Sequence, residues 1–378
     1  MPYKFTVNET FSLGVEVELQ LVDAHTLELA NRVEAILSRV PPKWKNSIKK
    51  ELMQSYCELN TNVCATVGEA DCDLREKLAW ATEIAANENM RFLWAGTHPF
   101  SPWHQQKYSV GNRYEWLTHA FQDISRRLVA FGLHVHVGVD SGDKAVQLCD
   151  RLLRHLPTLL ALSVNSPFWN GRDTGLASYR SKILEALPTA GLPQLMRNWS
   201  EFVWLIEHLR DTGFIQSIRE IWWDVRPHKE FGTVEIRVMD MPLNLRHTLG
   251  IVALTQSLVA ALSEDIDHGA YQFDCHPMIA KQNKWHATRF GLEAQFINPT
   301  TLKAVTAREA VIDLIDSCRP MAERLRCADY LTNLNDILEK GTGAERQRNV
   351  FLKTNSTLEV ARFLADASSE ISSASSVR

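Results

Sequence analysis

The chain has 378 residues, 45% hydrophobic and 23% charged, the balance of an ordinary globular protein with room for two or three average domains or one large one. A formal net charge of -4 disfavours a nucleic-acid backbone as main partner, since that role calls for a basic surface. A nucleotide substrate stays open, because a few arginines and bound cations can hold a triphosphate locally. Met1 to Glu9 hold no basic segment followed by an apolar one, so no secretory signal is expected. The most apolar stretch, Gly250 to Leu262, is interrupted by Thr, Gln and Ser and falls short of the ~20 residues of a membrane span. Cys57, Cys64, Cys72, Cys149, Cys275, Cys318 and Cys327 form no Cys-x-x-Cys pair and are odd in number, which fits reduced, mostly buried thiols in a cytoplasmic protein.

In chain order, Leu13 to Leu19 reads as a strand with Glu16 and Glu18 on one side and Val15, Val17 and Leu19 on the other. Tyr56 to Val63 repeats the design, with Glu58, Asn60 and Asn62 sharing a face. Asn is a poor strand former, so two on one face suggest a polar floor with a purpose beyond pairing. Asp71 to Trp94 carries Leu74, Leu78, Ala81 and Ala85 at helical spacing. Gly132 to Gly138 is a strand whose two imidazoles, His134 and His136, face away from Leu133, Val135 and Val137. Ala145 to Val164 reads as helix with Pro157 as its break. Gly171 to Gly191, rich in Gly and Pro, reads as a loop able to cover a site, with Arg180 as its anion contact. Gly232 to Asp240 is the fourth strand, with Glu235 and Arg237 on one face. Helices are expected over His247 to Leu262, Arg308 to Leu338 and Ala344 to Phe363. No linker or repeat divides the chain, so one domain is expected over 1–367, followed by a Ser-rich tail over 368–378.

Each charged strand by itself has a bland reading, as a half-exposed strand with its acids in water or an ion pair of little worth. Placed in one sheet, they would gather Glu16, Glu18, Glu58, Glu235, His134, His136 and Arg237 on one face. Carboxylates so crowded repel one another unless cations neutralise them. An oxygen-rich set suits Mg²⁺, and a His among the acids admits Mn²⁺ as well. The sequence holds neither a Gly-x-x-x-x-Gly-Lys-Ser/Thr loop nor a Gly-x-Gly-x-x-Gly turn, neither a Gly-x-Ser-x-Gly elbow nor a His-Glu-x-x-His helix. A carboxylate floor with Arg beside it can instead clamp ATP through its cations, and phosphoryl transfer needs mainly positioning and charge neutralisation.

The motifs Gly14-Val15-Glu16-Val17-Glu18, Glu58-Leu59 with Val63-Cys64, Gly96 to Phe100, Leu133 to Gly138, Ile221 to Pro227 and Phe231 to Asp240, closed by Asn283, Trp285, Ala287, Arg289 and Gly291, follow one another in a specific order. In this combination the chain resembles the carboxylate–amine ligase family of type 2 bacterial glutamate–cysteine ligases, from about Phe11 to Arg289. The resemblance implies an α+β, glutamine synthetase-like fold: a curved, mainly antiparallel sheet with a carboxylate-lined concave face, covered by helices. It implies Glu16, Glu18, Glu58, His134 and Glu235 as metal ligands, and Arg226, Arg237, Arg289 and His136 as nucleotide or anion contacts. Arg237, Glu235 and Arg180 are the implied catalytic residues. Substrates would be ATP, glutamate and cysteine or another amine, joined through an acyl phosphate in a homodimer. Two other functions stay open: a metal-dependent hydrolase of amidohydrolase type, since His-x-His on a strand also occurs there on a parallel barrel, and a non-catalytic amino-acid or metal-binding regulator on the ligase fold.

Overall fold

The computed structural model describes residues 4–270, 272 and 275–369. Its centre is a seven-stranded sheet made of β1 (Leu13–Asp23), β2 (Ile48–Lys49), β3 (Tyr56–Asn60), β4 (Met90–Leu93), β5 (Gly132–Gly138), β8 (Val225–His228) and β9 (Thr233–Asp240). Two small ribbons, β6 (Phe168–Trp169) with β7 (Arg172–Asp173) and β10 (Gln295–Ile297) with β11 (Ala304–Thr306), lie outside it. The main order is β2-β3-β1-β5-β9-β8, every pairing antiparallel. The long β1 pairs with β3 along one edge, while β5 and then β4 share its other edge in succession. The four strands read as charged-faced in the sequence are therefore consecutive neighbours, β3-β1-β5-β9.

Alternation decides which side each residue takes. Leu13, Val15, Val17 and Leu19 are completely buried, as are Leu133, Val135, Val137, Val234 and Ile236 on the adjoining strands. Each such side chain contributes about 1.5–3 kcal/mol by leaving water. Helices cover this face: Leu245–Asp267 packs on β5, Gly142–Leu152 on β8 and β9, Leu156–Ser163 on β9, and Val67–Asn87 on β1, β3 and β4. Pro157 enters the first turn of its helix, where a missing N–H costs nothing, so the expected break falls just before it.

Some boundaries differ from the sequence reading. The helix expected over 71–94 ends at Asn87; Asn89 takes a left-handed turn (φ 54°), and Met90–Leu93 pairs with β1 as β4. The helix expected over 308–338 stops at Arg324, turns through Arg326 (φ 55°) and resumes as two short pieces. Leu245–Asp267 is in fact long and apolar enough to cross a membrane, contrary to expectation, but most of its apolar window is buried inside the fold. Two of its buried polar side chains donate internally: Thr255 to the carbonyl of Ile251 at 2.8 Å, and Gln256 through Nε2 to that of Phe11 at 2.7 Å. Ser368, assigned to the tail by composition, belongs to the last helix, Thr357–Ser369. It is buried, donates to the carbonyl of Leu364 and accepts from the N–H of Trp94. Residues 370–378 of the expected tail lie outside the described residues.

Candidate active site

The register of the sheet sets the polar residues in rows. Lys49, Glu58 and Glu18 stand in line across β2, β3 and β1; Asn60, Glu16 and His134 form the next row; Gly14, His136, Glu235 and Arg226 form a third. Between Leu133 and Val135 the β5–β9 pairing slips by one residue, so His134 faces the Arg237–Val238 step. A bulge of this kind twists the strand locally and re-aims a side chain. Here Arg237 comes back toward Glu235 on its own strand and reaches His134 Nδ1 at 3.4 Å.

Glu235 is almost wholly buried and held on two sides. Arg226 donates to it through Nε at 2.6 Å, and Arg237 Nη1 donates to its Oε1. Burial would raise the carboxyl pKa, but the two guanidinium groups outweigh it and hold Glu235 well below the carboxylate range. Glu16 behaves alike: burial raises its pKa, and the two imidazoles beside it, His134 and His136, bring it well down. His134 lies 3.2 Å from Glu16 through Nδ1; burial and the charge of Arg237 depress its pKa to about 4, so the ring is neutral near pH 7.

His136 gives the clearest sign of a missing partner. Its Nδ1 lies 3.0 Å from Thr233 Oγ1, which orients the ring. Nε2 is directed between Glu16 Oε1 at 3.5 Å and Glu235 Oε1 at 3.8 Å, buried and without a hydrogen bond. One donor atom from each of Glu16, His136 and Glu235 lies within 4.8 Å of the others. Bonds of about 2.0–2.2 Å place the ligands of one cation about 3–4 Å apart, and the two separations from His136 Nε2, 3.5 and 3.8 Å, have that spacing, with Thr233 orienting the imidazole from behind.

The far end of the floor is acidic and only partly compensated, with Lys49 Nζ 3.9 Å from Glu58 and the charges of Arg180 and Arg237 acting on Glu18. Glu18 and Glu58 oppose each other directly. Burial pushes Glu18 up to about 7 and, with Glu16 and Glu51 adding repulsion, pushes Glu58 well above the usual range. Glu18 accepts from the N–H of Gly132 at 2.5 Å, and Glu58 from Asn60 at 2.8 Å. Arg180 lies over Gly132, where a side chain would be impossible: an added Cβ would come within 2.2 Å of its guanidinium. Arg180 is 2% exposed, makes only long hydrogen bonds to the carbonyls of Arg237 and Val238, and leaves Nε without a partner. Among the described residues no carboxylate forms an ion pair with it.

The structure thus brings together Glu16, Glu18, Glu58, His134, His136, Glu235, Arg237 and Arg180. His136, expected as a nucleotide contact, lies in the cation-sized cluster, and His134, expected as a ligand, stands beside Glu16 and Arg237 in the adjacent row. Arg226, expected to bind an anion, is committed to Glu235 and to the carbonyls of Ile218 and Ile221, each at 2.8 Å, so it positions the carboxylate instead. Arg289 is not joined to the rows; its guanidinium covers the ring of Phe290 at 4.7 Å and its charge acts on Asp173. Sequence reading missed Glu51, whose charge acts on Glu18 and Glu58, because it lies between strands with no alternation to mark it. It also missed Asp240, which accepts from Ser166, Ser178 and the N–H of Asn165 and so ties down the start of the helix Tyr179–Leu184; Arg180 lies in that helix, not in the loop expected over 171–191.

Comparison with known proteins bears on the family and the fold. The model of glutamate–cysteine ligase family 2 matches residues 12–362. The chain is 39% identical over 362 residues to a protein of Gloeobacter violaceus named "Putative glutamate--cysteine ligase 2", covering 95% of this chain and 97% of that one. It is 40% identical to a relative of similar name from Rubrobacter xylanophilus, covering 97% of each. Among solved structures, the fold matches the glutamate–cysteine ligase of Francisella tularensis in complex with AMP, with a TM-score of 0.73 and 14% identity over 98% of this chain and 90% of that one. It also matches a bifunctional glutathione synthetase from Pasteurella multocida, with a TM-score of 0.70 and 13% identity over 94% of this chain and 52% of that one. The histidines sit in an antiparallel sheet and not the parallel barrel of the hydrolase alternative. With a family match over nearly the whole length, the chain belongs to glutamate–cysteine ligase family 2 and is, in class, an ATP-dependent carboxylate–amine ligase.

Proposed function

We propose that this ligase joins the side-chain carboxylate of glutamate to the amine of cysteine, or of another amine, through an acyl phosphate. The observation that carries the reading is the unpartnered Nε2 of His136 between the buried carboxylate of Glu235 and the half-buried one of Glu16, with Arg237 beside them. Glu16, His136 and Glu235, with Glu18 and Glu58 as a second group of oxygen donors, would hold Mg²⁺ or Mn²⁺, which when bound neutralises phosphate charge.

The chain's own residues supply the rest. An oxygen of the glutamate side chain attacks the γ-phosphorus of ATP, and the bond to the ADP oxygen breaks, giving acyl phosphate and ADP. The amine, having lost a proton, attacks the acyl carbon, and phosphate leaves with the bonding pair. Arg237 presents donors to the transferring group, while Arg226 and Thr233 keep Glu235 and His136 aimed. Arg180, buried and short of partners, receives a carboxylate of the substrate. No protein nucleophile is needed. A homodimer and a cytoplasmic location belong to the same reading on the resemblance alone; a solution mass twice the 43.0 kDa chain would support the former.

The test incubates protein, ATP, Mg²⁺ and glutamate with each amino acid in turn, following ADP and product by mass spectrometry. A γ-glutamyl product that falls at least 100-fold in Glu235→Gln is expected. ADP release with another amine but not cysteine would replace the named acceptor, and no ADP under any combination would overturn the reading.

A further inference from the structure

At the edge of the sheet, the β8–β9 hairpin pairs Arg226 with Glu235 and His228 with Thr233. Since Glu235 faces the site, alternation puts His228 and Thr233 on the same face, two residues nearer the turn. Phe231 folds back from that turn and stacks on His228, the rings 4.2 Å apart and 8° from parallel. Its edge meets His136 at 5.5 Å. One face of the Phe231 ring is thus covered and the residue is still 57% exposed, an apolar platform at the mouth of an otherwise charged site.

The platform is anchored. Gly232 has φ 66° and comes so near Thr6 that a Cβ would lie 2.2 Å from its carbonyl oxygen. The N–H of Thr6 donates to Lys229, and that of Val139 to Gly232, both at 2.9 Å. The site therefore has two different ends. Beyond the cation-sized cluster in one direction lie Glu18, Gly132 and the under-partnered Arg180, suited to a charged substrate. In the other lies an exposed aromatic stack.

From this polarity we propose that the base of the nucleotide packs on the outer face of Phe231, with its phosphates running back toward Glu16, His136 and Glu235. The inference rests on the ATP-dependent reading above and adds to it the residue that grips the base. A base needs a flat π surface and little hydrogen bonding to bind there, because every base presents a π face. A ring backed by His228 is pre-set for that contact, whereas the buried aromatic residues of the core have no free face.

The experiment measures Mg²⁺-dependent binding of ADP and of inorganic tripolyphosphate to the full chain by calorimetry, for the wild type, Phe231→Ala and Phe231→Trp. Loss of the stack should weaken ADP roughly tenfold or more in Phe231→Ala, leave tripolyphosphate within about twofold, and be restored by Trp. Equal ADP affinity in wild type and Phe231→Ala overturns the assignment of the base alone. A parallel loss of tripolyphosphate overturns it too, showing that Phe231 supports the cluster and not the base. A wild type that binds neither ligand removes the nucleotide reading itself.

Discussion

His98 illustrates how burial decides the state of a single residue. It is 1% exposed; Nδ1 accepts from the N–H of Ser101 at 2.9 Å, so Nε2 carries the proton donated to the carbonyl of Leu27 at 2.8 Å. A second proton would have to displace the Ser101 bond. Burial accordingly depresses the pKa from 6.5 to about 4. In this interval the unfolded chain binds the proton and the folded chain does not, so the stability tied to His98 is complete above about pH 6.5 and is lost as pH falls toward 4. Between pH 7.5 and 5 this amounts to about 2 kcal/mol. Urea unfolding of wild type and His98→Gln at the two pH values should show the variant less acid-sensitive by that amount; identical slopes would contradict it. His98 was legible in the sequence as part of a tight loop, and its satisfied geometry agrees with a structural part. Arg226 was read from the sequence as an anion contact. That its guanidinium is spent on Glu235 and two carbonyls depends on where residues 218–221 return, which no local pattern reveals.

At the scale of elements, period-two alternation proved the most readable signal. The limits of β5 match the expected strand, and β9 begins one residue later, at Thr233. Alternation reports the pleat of one strand and requires no knowledge of its neighbours. Helix ends were less readable, because Asn89 and Arg326 adopt left-handed turns that non-glycine residues do not announce. Gly232 is the opposite case, a glycine whose necessity is geometric. Gly232→Ala would strain φ 66° and press a methyl group on the Thr6 carbonyl. A cost of about 2–3 kcal/mol is expected. Differential scanning calorimetry should show a thermal midpoint several degrees lower, and an unchanged midpoint would mean that the turn relaxes without penalty.

For the whole molecule, the acid-rich floor sets the response to cations. Glu58 is buried opposite the half-buried Glu18 while Glu16 and Glu235 stay ionised nearby. A divalent cation that binds only the folded chain stabilises it by mass action, about 2.7 kcal/mol at one hundred times its Kd. Thermal unfolding with rising Mg²⁺ or Mn²⁺ should therefore move the midpoint upward by several degrees, and Glu16→Gln or Glu235→Gln should remove most of the shift. A midpoint insensitive to both ions would place the cation elsewhere or nowhere.

The sequence by itself determined which residues share a face, because alternation is a property of each strand's own backbone, whereas the pairing β3-β1-β5-β9 joins the four faces into one. It also determined the family, through motifs spread from Gly14 to Arg289. Tertiary structure alone decided which donors meet. The contact of Glu16 with His134 closes across 118 positions, and that of His136 with Thr233 across 97. Pairing register and the slip beside His134 choose His136 over His134 for the cation-sized cluster. Those choices are made by hydrogen bonds between distant strands, and a strand's own sequence carries no record of its neighbour's register.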